Sequence, residues 1–117
     1  MNYERPLAQV PIVAYRSAPP GVHIAQSQGE FCTLTENALL IPRAAHETVP
    51  LSKIGAVHHE HDTTIVIDAV TYTFALECES EAIRDEFAFY IALFADCVLW
   101  VNEGRANMKE LEKKYLG

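Results

Sequence analysis

Apolar and polar positions alternate in short runs through the first two-thirds of the chain. A period of two predicts strands, because successive side chains of a strand point to opposite faces. Residues 10–15, 22–26, 31–35, 38–41, 54–59, 64–68 and 71–77 carry the pattern. Pro11 puts the start of the first strand at a sheet edge, since proline has no N–H to give to a ladder. Turn formers stand between the runs: Pro19-Pro20-Gly21, Gln28-Gly29 and Glu36-Asn37, the last suited to a tight hairpin with Asn37 in a left-handed backbone. In the last run Tyr72, Phe74 and Leu76 share one face and Thr71, Thr73 and Ala75 the other, so one face is expected to be buried. Gly55 marks a β-bulge. Residues 42–48, polar and alanine-containing, read as a loop.

After Ser80 the period changes. Ile83, Phe87, Tyr90, Phe94, Cys97 and Val101 recur at spacings of four and three, which predicts one long helix over 80–102 whose stripe packs on the sheet. Ser80 is its expected N-cap, Glu81, Asp85 and Glu86 favour the positive end of its dipole, and Gly104 is its expected stop. Phe89, Leu93 and Trp100 fall outside the stripe. One sheet covers only one side of a helix, and aromatic residues are enriched at interface centres, so these three are expected to meet a second copy or another protein. Asp96 falls inside this helix without an identifiable acid or base partner and reads as structural. The apolar run 87–101 is shorter than the roughly 20 residues a bilayer requires. A short terminal helix is expected over 107–116, opened by Asn107 with Glu110 and aligning Met108, Leu111 and Tyr115 on one side.

At 117 residues and 50% hydrophobic composition the chain fits one domain, 1–117, with a strand-rich barrel over 10–77, the closing helix and the terminal helix. The fold class is α+β: an antiparallel β-barrel or bent sheet of about seven strands closed by a long C-terminal helix. With 16 acidic against 9 basic residues, and a net charge of −7, neither nucleic acid nor an anionic membrane is an expected partner. Cys32, Cys78 and Cys97 lack CxxC spacing and read as free, core-packing thiols. Together with a first ten residues that lack a signal-peptide pattern, they point to a reducing cytoplasm.

Leu34-Thr35 through Leu40, then Val49-Pro50-Leu51-Ser52-Lys53-Ile54, then Tyr72-Thr73-Phe74 and the helix that follows resemble the pleckstrin-homology-like superfold, including its GRAM and bacterial branches. The resemblance spans residues 10–101 and implies a helix-closed barrel acting as a scaffold, in which a barrel edge, a loop or the closing helix binds another protein. Lipid-binding members of that superfold carry several Lys and Arg between the first two strands. Here residues 16–21 offer Arg16 alone, so headgroup recognition is not implied.

The densest candidate chemistry is His58, His59, Glu60, His61 and Asp62, with His46 as a further imidazole. If the strand continues, His59 and His61 share a face and can ligate one divalent metal, the third ligand coming from Asp62, His46 or a neighbouring chain. The simpler reading is a solvated hairpin end. No GxSxG, P-loop, HExxH or Gly-rich dinucleotide motif occurs. The expected function is therefore a non-enzymatic protein-interaction module acting as a homo-oligomer, without a cofactor, through Phe89, Leu93 and Trp100. The alternative is a metal- or small-ligand-binding protein, or an enzyme, centred on residues 58–62.

Overall fold

In the computed structural model, which describes residues 6–18, 24–26, 31–41, 47–60, 63–70, 73–102 and 104–117, strands dominate. They are β1 (Pro6–Ala18), β2 (Ile24–Gln26), β3 (Phe31–Thr35), β4 (Ala38–Ile41), β5 (Glu47–Pro50), β6 (Ile54–Glu60), β7 (Thr64–Ala69), β8 (Thr73–Cys78), β9 (Val98–Val101) and β10 (Gly104–Arg105). Helix α1 (Glu81–Ala95) lies between β8 and β9, and α2 (Met108–Leu116) follows β10. The strands pair in the order β10-β9-β6-β7-β8-β1-β3-β4-β5, with β2 beside β1. Strand β1 is shared, its first half pairing with β3 and its second with β8. The register shifts between Ile12 and Ala14, just past Pro11, where a missing N–H and a bulge let one strand serve two halves of the sheet.

The α+β class stands, but the barrel does not: among the described residues no pairing joins β10 to β5, so the sheet is open. Nor is it wholly antiparallel. Strand β9 lies parallel to β6, with Val57 opposite Leu99 and His58 opposite Trp100, because α1 carries the chain back across the sheet before β9 begins. Strand β5 is also new, overlapping residues that read as loop; its Val49 is 2% exposed and supplies core packing.

Several local readings hold. Strands β3 and β4 have their expected limits. Their turn is organised by Thr35, whose Oγ1 accepts from the Asn37 and Ala38 amides at 3.3 and 3.1 Å and donates to the Ala38 carbonyl at 3.1 Å. Asn37 itself is not left-handed; Asp96 and Asn102 are the described non-glycine residues with positive φ. The β6–β7 register shifts between Ile54 and Ala56, at the bulge expected from Gly55. Phe74 and Leu76 are buried on one face of β8, while Tyr72 lies outside the described residues.

The helix expected over 80–102 ends at Ala95. Ser80 caps its start, Oγ accepting from the Ile83 amide at 3.2 Å. At its end Asp96 takes a left-handed conformation (φ 54, ψ 49), the Asp96 amide reaches the Leu93 carbonyl at 3.2 Å and the Cys97 amide reaches the Ala92 carbonyl at 3.1 Å. That pair of bonds is a Schellman closure with aspartate in the place glycine usually holds. Gly104 is therefore not the stop. Val98, Leu99, Trp100 and Val101 continue as a strand, because β-branched and aromatic side chains suit a pleated surface and the edge of β6 was open to receive them.

This revises which side of α1 faces what. Its buried residues are Arg84, Phe87, Ala88, Phe89, Ile91 and Ala92, whereas Phe94, expected on the sheet, is 42% exposed. Phe89, expected at an interface, is 0% exposed and lies 5.2 Å from the Tyr115 ring of α2. Leu93 is half-buried on α1, and Trp100 is not on the helix at all. The second side of α1 is thus covered by the same chain, and burial of Phe89 requires no partner. Helix α2 is capped as expected, Asn107 Oδ1 accepting from the Lys109 and Glu110 amides at 3.1 and 3.3 Å. Neither helix is long and apolar enough to cross a membrane among the described residues.

Candidate functional site

Strand alternation sends the adjacent histidines of β6 to opposite faces. His58 joins the face away from α1, where its Nε2 lies 2.7 Å from Asp68 Oδ2 and Thr73 Oγ1 donates to Asp68 Oδ1 at 3.1 Å. Asp68 and Thr73 are direct cross-strand partners, so the sheet register builds this triple. Trp100 stands on the same face, opposite His58 on β9.

His59 turns inward. Its register partners are Ile65 on β7 and Val101 on β9, and the first turns of α1 bring Arg84 and Asp85 over it. The His59 side chain is 9% exposed, so it is not at a solvated hairpin end. Its Nδ1 is 3.6 Å from Asp85 Oδ1, too long for a hydrogen bond but close enough for charge to act on the ring. Its Nε2 is buried and has no hydrogen-bond partner among the described residues. Burial pushes the imidazole below its usual pKa, the Arg84 charge pushes the same way, and Asp85 opposes them. The ring is therefore held neutral.

Arg84 is 8% exposed, a position arginine occupies only when its charge is matched, and its Nε donates to Asp85 Oδ1 at 2.5 Å. Around this group opens a cleft of about 380 Å³ between the end of β6, the start of α1 and helix α2. Val101, Ala106, Leu111 and Tyr115 form its apolar wall, and Glu110 and Lys114 its rim. Tyr115 is locked there by its rings' neighbours, 5.2 Å from Phe89 and 6.3 Å from Tyr90. The Tyr90 hydroxyl is raised in pKa by burial, with Glu86 and Tyr115 adding to it.

Of the metal candidates, His59 is placed as described, and His61, Asp62 and His46 lie outside the described residues. No group of three or more His, Cys, Asp or Glu among the described residues is arranged to hold an ion. The thiols offer no ready nucleophile. Burial raises Cys32 far above its usual range with Cys78 adding to the effect, while burial pushes Cys78 and Cys97 up to about 11.

Sequence reasoning found His59 but missed Arg84, Asp85 and the α2 wall. One signal was present: Arg84 stands three and four residues before Phe87 and Ala88, so it continues the buried stripe as its single basic member. A charge on a buried face needs a partner, and that partner marks the site. Compared with models of known families and with curated proteins, the chain matches none.

Proposed function

We propose that this chain is a binding domain for a small polar molecule, with the His59 cleft as its site. The observation that carries the reading is the convergence of the His59 ring and the Arg84–Asp85 pair on a cleft walled by Val101, Leu111 and Tyr115. The cleft volume falls within the range of about 300–1,000 Å³ usual for small-molecule sites, and an apolar wall with a few convergent polar groups is their usual composition. The ligand-binding alternative is thereby moved from the hairpin tip to the inward face of β6. The test is a fragment titration followed by NMR. Saturable shifts of the His59 ring and the Leu111 methyls together support the reading, and no shift at millimolar fragment defeats it.

A second reading, a self-associating interaction module, is favoured by Trp100. It is half-buried on the sheet face away from α1, beside His58, and Phe94 adds an aromatic ring that is 42% exposed. In this reading Trp100, not Phe89, is the contact residue, with half-buried Leu93 nearer Phe94 on α1. The pleckstrin-homology-like scaffold belongs to it, supported by antiparallel strands packed on a helix and opposed by the parallel strand β9 beyond that helix. Cytoplasmic residence is part of the same proposal, supported by three free thiols. Sedimentation velocity decides it: an oligomer dissociated by Trp100→Glu supports self-association, and a monomer at high micromolar concentration defeats it.

A further inference from the structure

The cleft beside His59 has walls of two kinds. His59, Arg84 and Asp85 belong to β6 and α1, and α1 is anchored by buried Phe87, Ala88, Ile91 and Ala92. Glu110, Leu111, Lys114 and Tyr115 belong to α2, in which no residue is buried. One wall is therefore part of the core, and the other rests on its surface.

The attachment of α2 is apolar. Tyr115 lies against Phe89 and Tyr90, and half-buried Met108 and Leu111 pack on the core. Among the described residues no hydrogen bond or salt bridge ties α2 to α1 or to the sheet; its hydrogen bonds are those of its own turns and of the Asn107 cap. The last fixed point before it is the Ala106 amide, which donates to the Leu99 carbonyl at 2.8 Å. At 9 residues α2 is shorter than the roughly 12–15 at which an isolated helix becomes even marginal in water, so its docking keeps it ordered. A segment with few buried contacts opens at a lower free energy than the core it covers.

We infer that α2 is a cover that leaves and rejoins Phe89 as a unit while α1 and the sheet stay folded, pivoting after Ala106, and that an occupant of the cleft holds it closed. The second half rests on the cleft being a ligand site. A molecule seated between the two walls touches both only when α2 is docked, so it binds the closed form more tightly and shifts the population toward it. By linkage, whatever favours docking of α2 tightens binding by the same factor.

Native-state hydrogen exchange followed by NMR tests the cover without any ligand. The helical amides of α2 are expected to be at least about tenfold less protected than those of residues 87–91 of α1 and to respond less to low urea, the mark of a local opening. Equal protection with equal urea dependence overturns the inference. Val57→Ala, in the fully buried middle of β6, removes contacts that the open and closed forms share. It is expected to lower the protection of α1 by about tenfold or more and to leave that of α2 unchanged. A fall of both in step makes α2 part of the core's cooperative unit and also overturns the inference. Benzamide then reads the coupling: at about ten times its dissociation constant it is expected to raise α2 protection about tenfold. Binding that protects α1 but not α2 overturns the coupling. No binding at millimolar benzamide removes the cleft as a site and the coupling with it, whereas the exchange of the free protein decides the cover by itself.

Discussion

Phe89 and Tyr115 lie with ring centroids 5.2 Å apart and planes inclined by 32°. This contact joins the middle of α1 to the last turn of α2 and closes the apolar side of α1 that its sequence left without an obvious cover. Tyr115 thereby serves two surfaces at once, the core under Phe89 and the wall of the His59 cleft. The hydrophobic free energy of burying a phenylalanine, about 1.5–3 kcal/mol, is obtained within one chain.

The two aromatic residues of α1 that exchanged roles should separate clearly in stability. Phe89→Ala leaves a cavity in a fully buried position and is expected to cost about 3–5 kcal/mol. Phe94→Ala, at a site 42% exposed, is expected to cost less than about 1 kcal/mol. Urea denaturation of both variants checks the order; equal losses would mean that Phe94 packs as tightly as Phe89.

The end of α1 depends on Asp96 adopting φ 54 and ψ 49. A left-handed conformation costs an L-residue about 1–2 kcal/mol, least for Asp and Asn, and glycine avoids it. Asp96→Gly is expected to be neutral or to stabilise by up to about 1 kcal/mol. Asp96→Val is expected to destabilise by about 1–2 kcal/mol, as a β-branched residue tolerates this region poorly. Thermal midpoints of the two variants should move in opposite senses or differ by several degrees.

His59 predicts how stability depends on pH. Its folded pKa lies below the unfolded value of 6.5, chiefly through burial. The unfolded chain therefore takes up the proton first as pH falls, and stability from this group is full above 6.5 and lost between 6.5 and the lowered folded value. Thermal midpoints measured from pH 7.5 downward should begin to fall near 6.5 for the natural chain, and His59→Gln should remove that part of the slope. An identical slope in the variant would assign the effect to other groups.

The thiols should be slow to react. Cys78 and Cys97, raised to about 11, and Cys32, raised further, are protonated at neutral pH, and the thiolate is the reactive form. In the native protein, titration with a chromogenic disulfide reagent at pH 7.5 should modify half-buried Cys97 first and Cys32 and Cys78 only at the rate of unfolding. Rapid native modification of Cys32 would contradict its burial. All three should react at once in denaturant.

Local signals were legible wherever a residue acts on its immediate neighbours. The period of two placed β3 and β4, a missing Cβ at Gly55 marked the bulge, and Ser80 and Asn107 capped helices through their own side chains. These features depend on bonds spanning a few residues, so the order of amino acids by itself determines them. The apolar run after Ala95 was different. Period alone does not separate a buried helix from a buried strand, and Val98, Leu99, Trp100 and Val101 satisfied both until the free edge of β6 selected the strand. The site belongs to the same class. His59 meets Arg84 and Asp85 because α1 crosses over the sheet, and Tyr115 completes the cleft because α2 folds back on Phe89. Composition and spacing determined that this chain would pair strands and pack a capped helix on them. Which imidazole is buried, which charge faces it and which aromatic closes the cleft were decided by contacts between residues distant in sequence, whose energies exist only once the chain has brought them together.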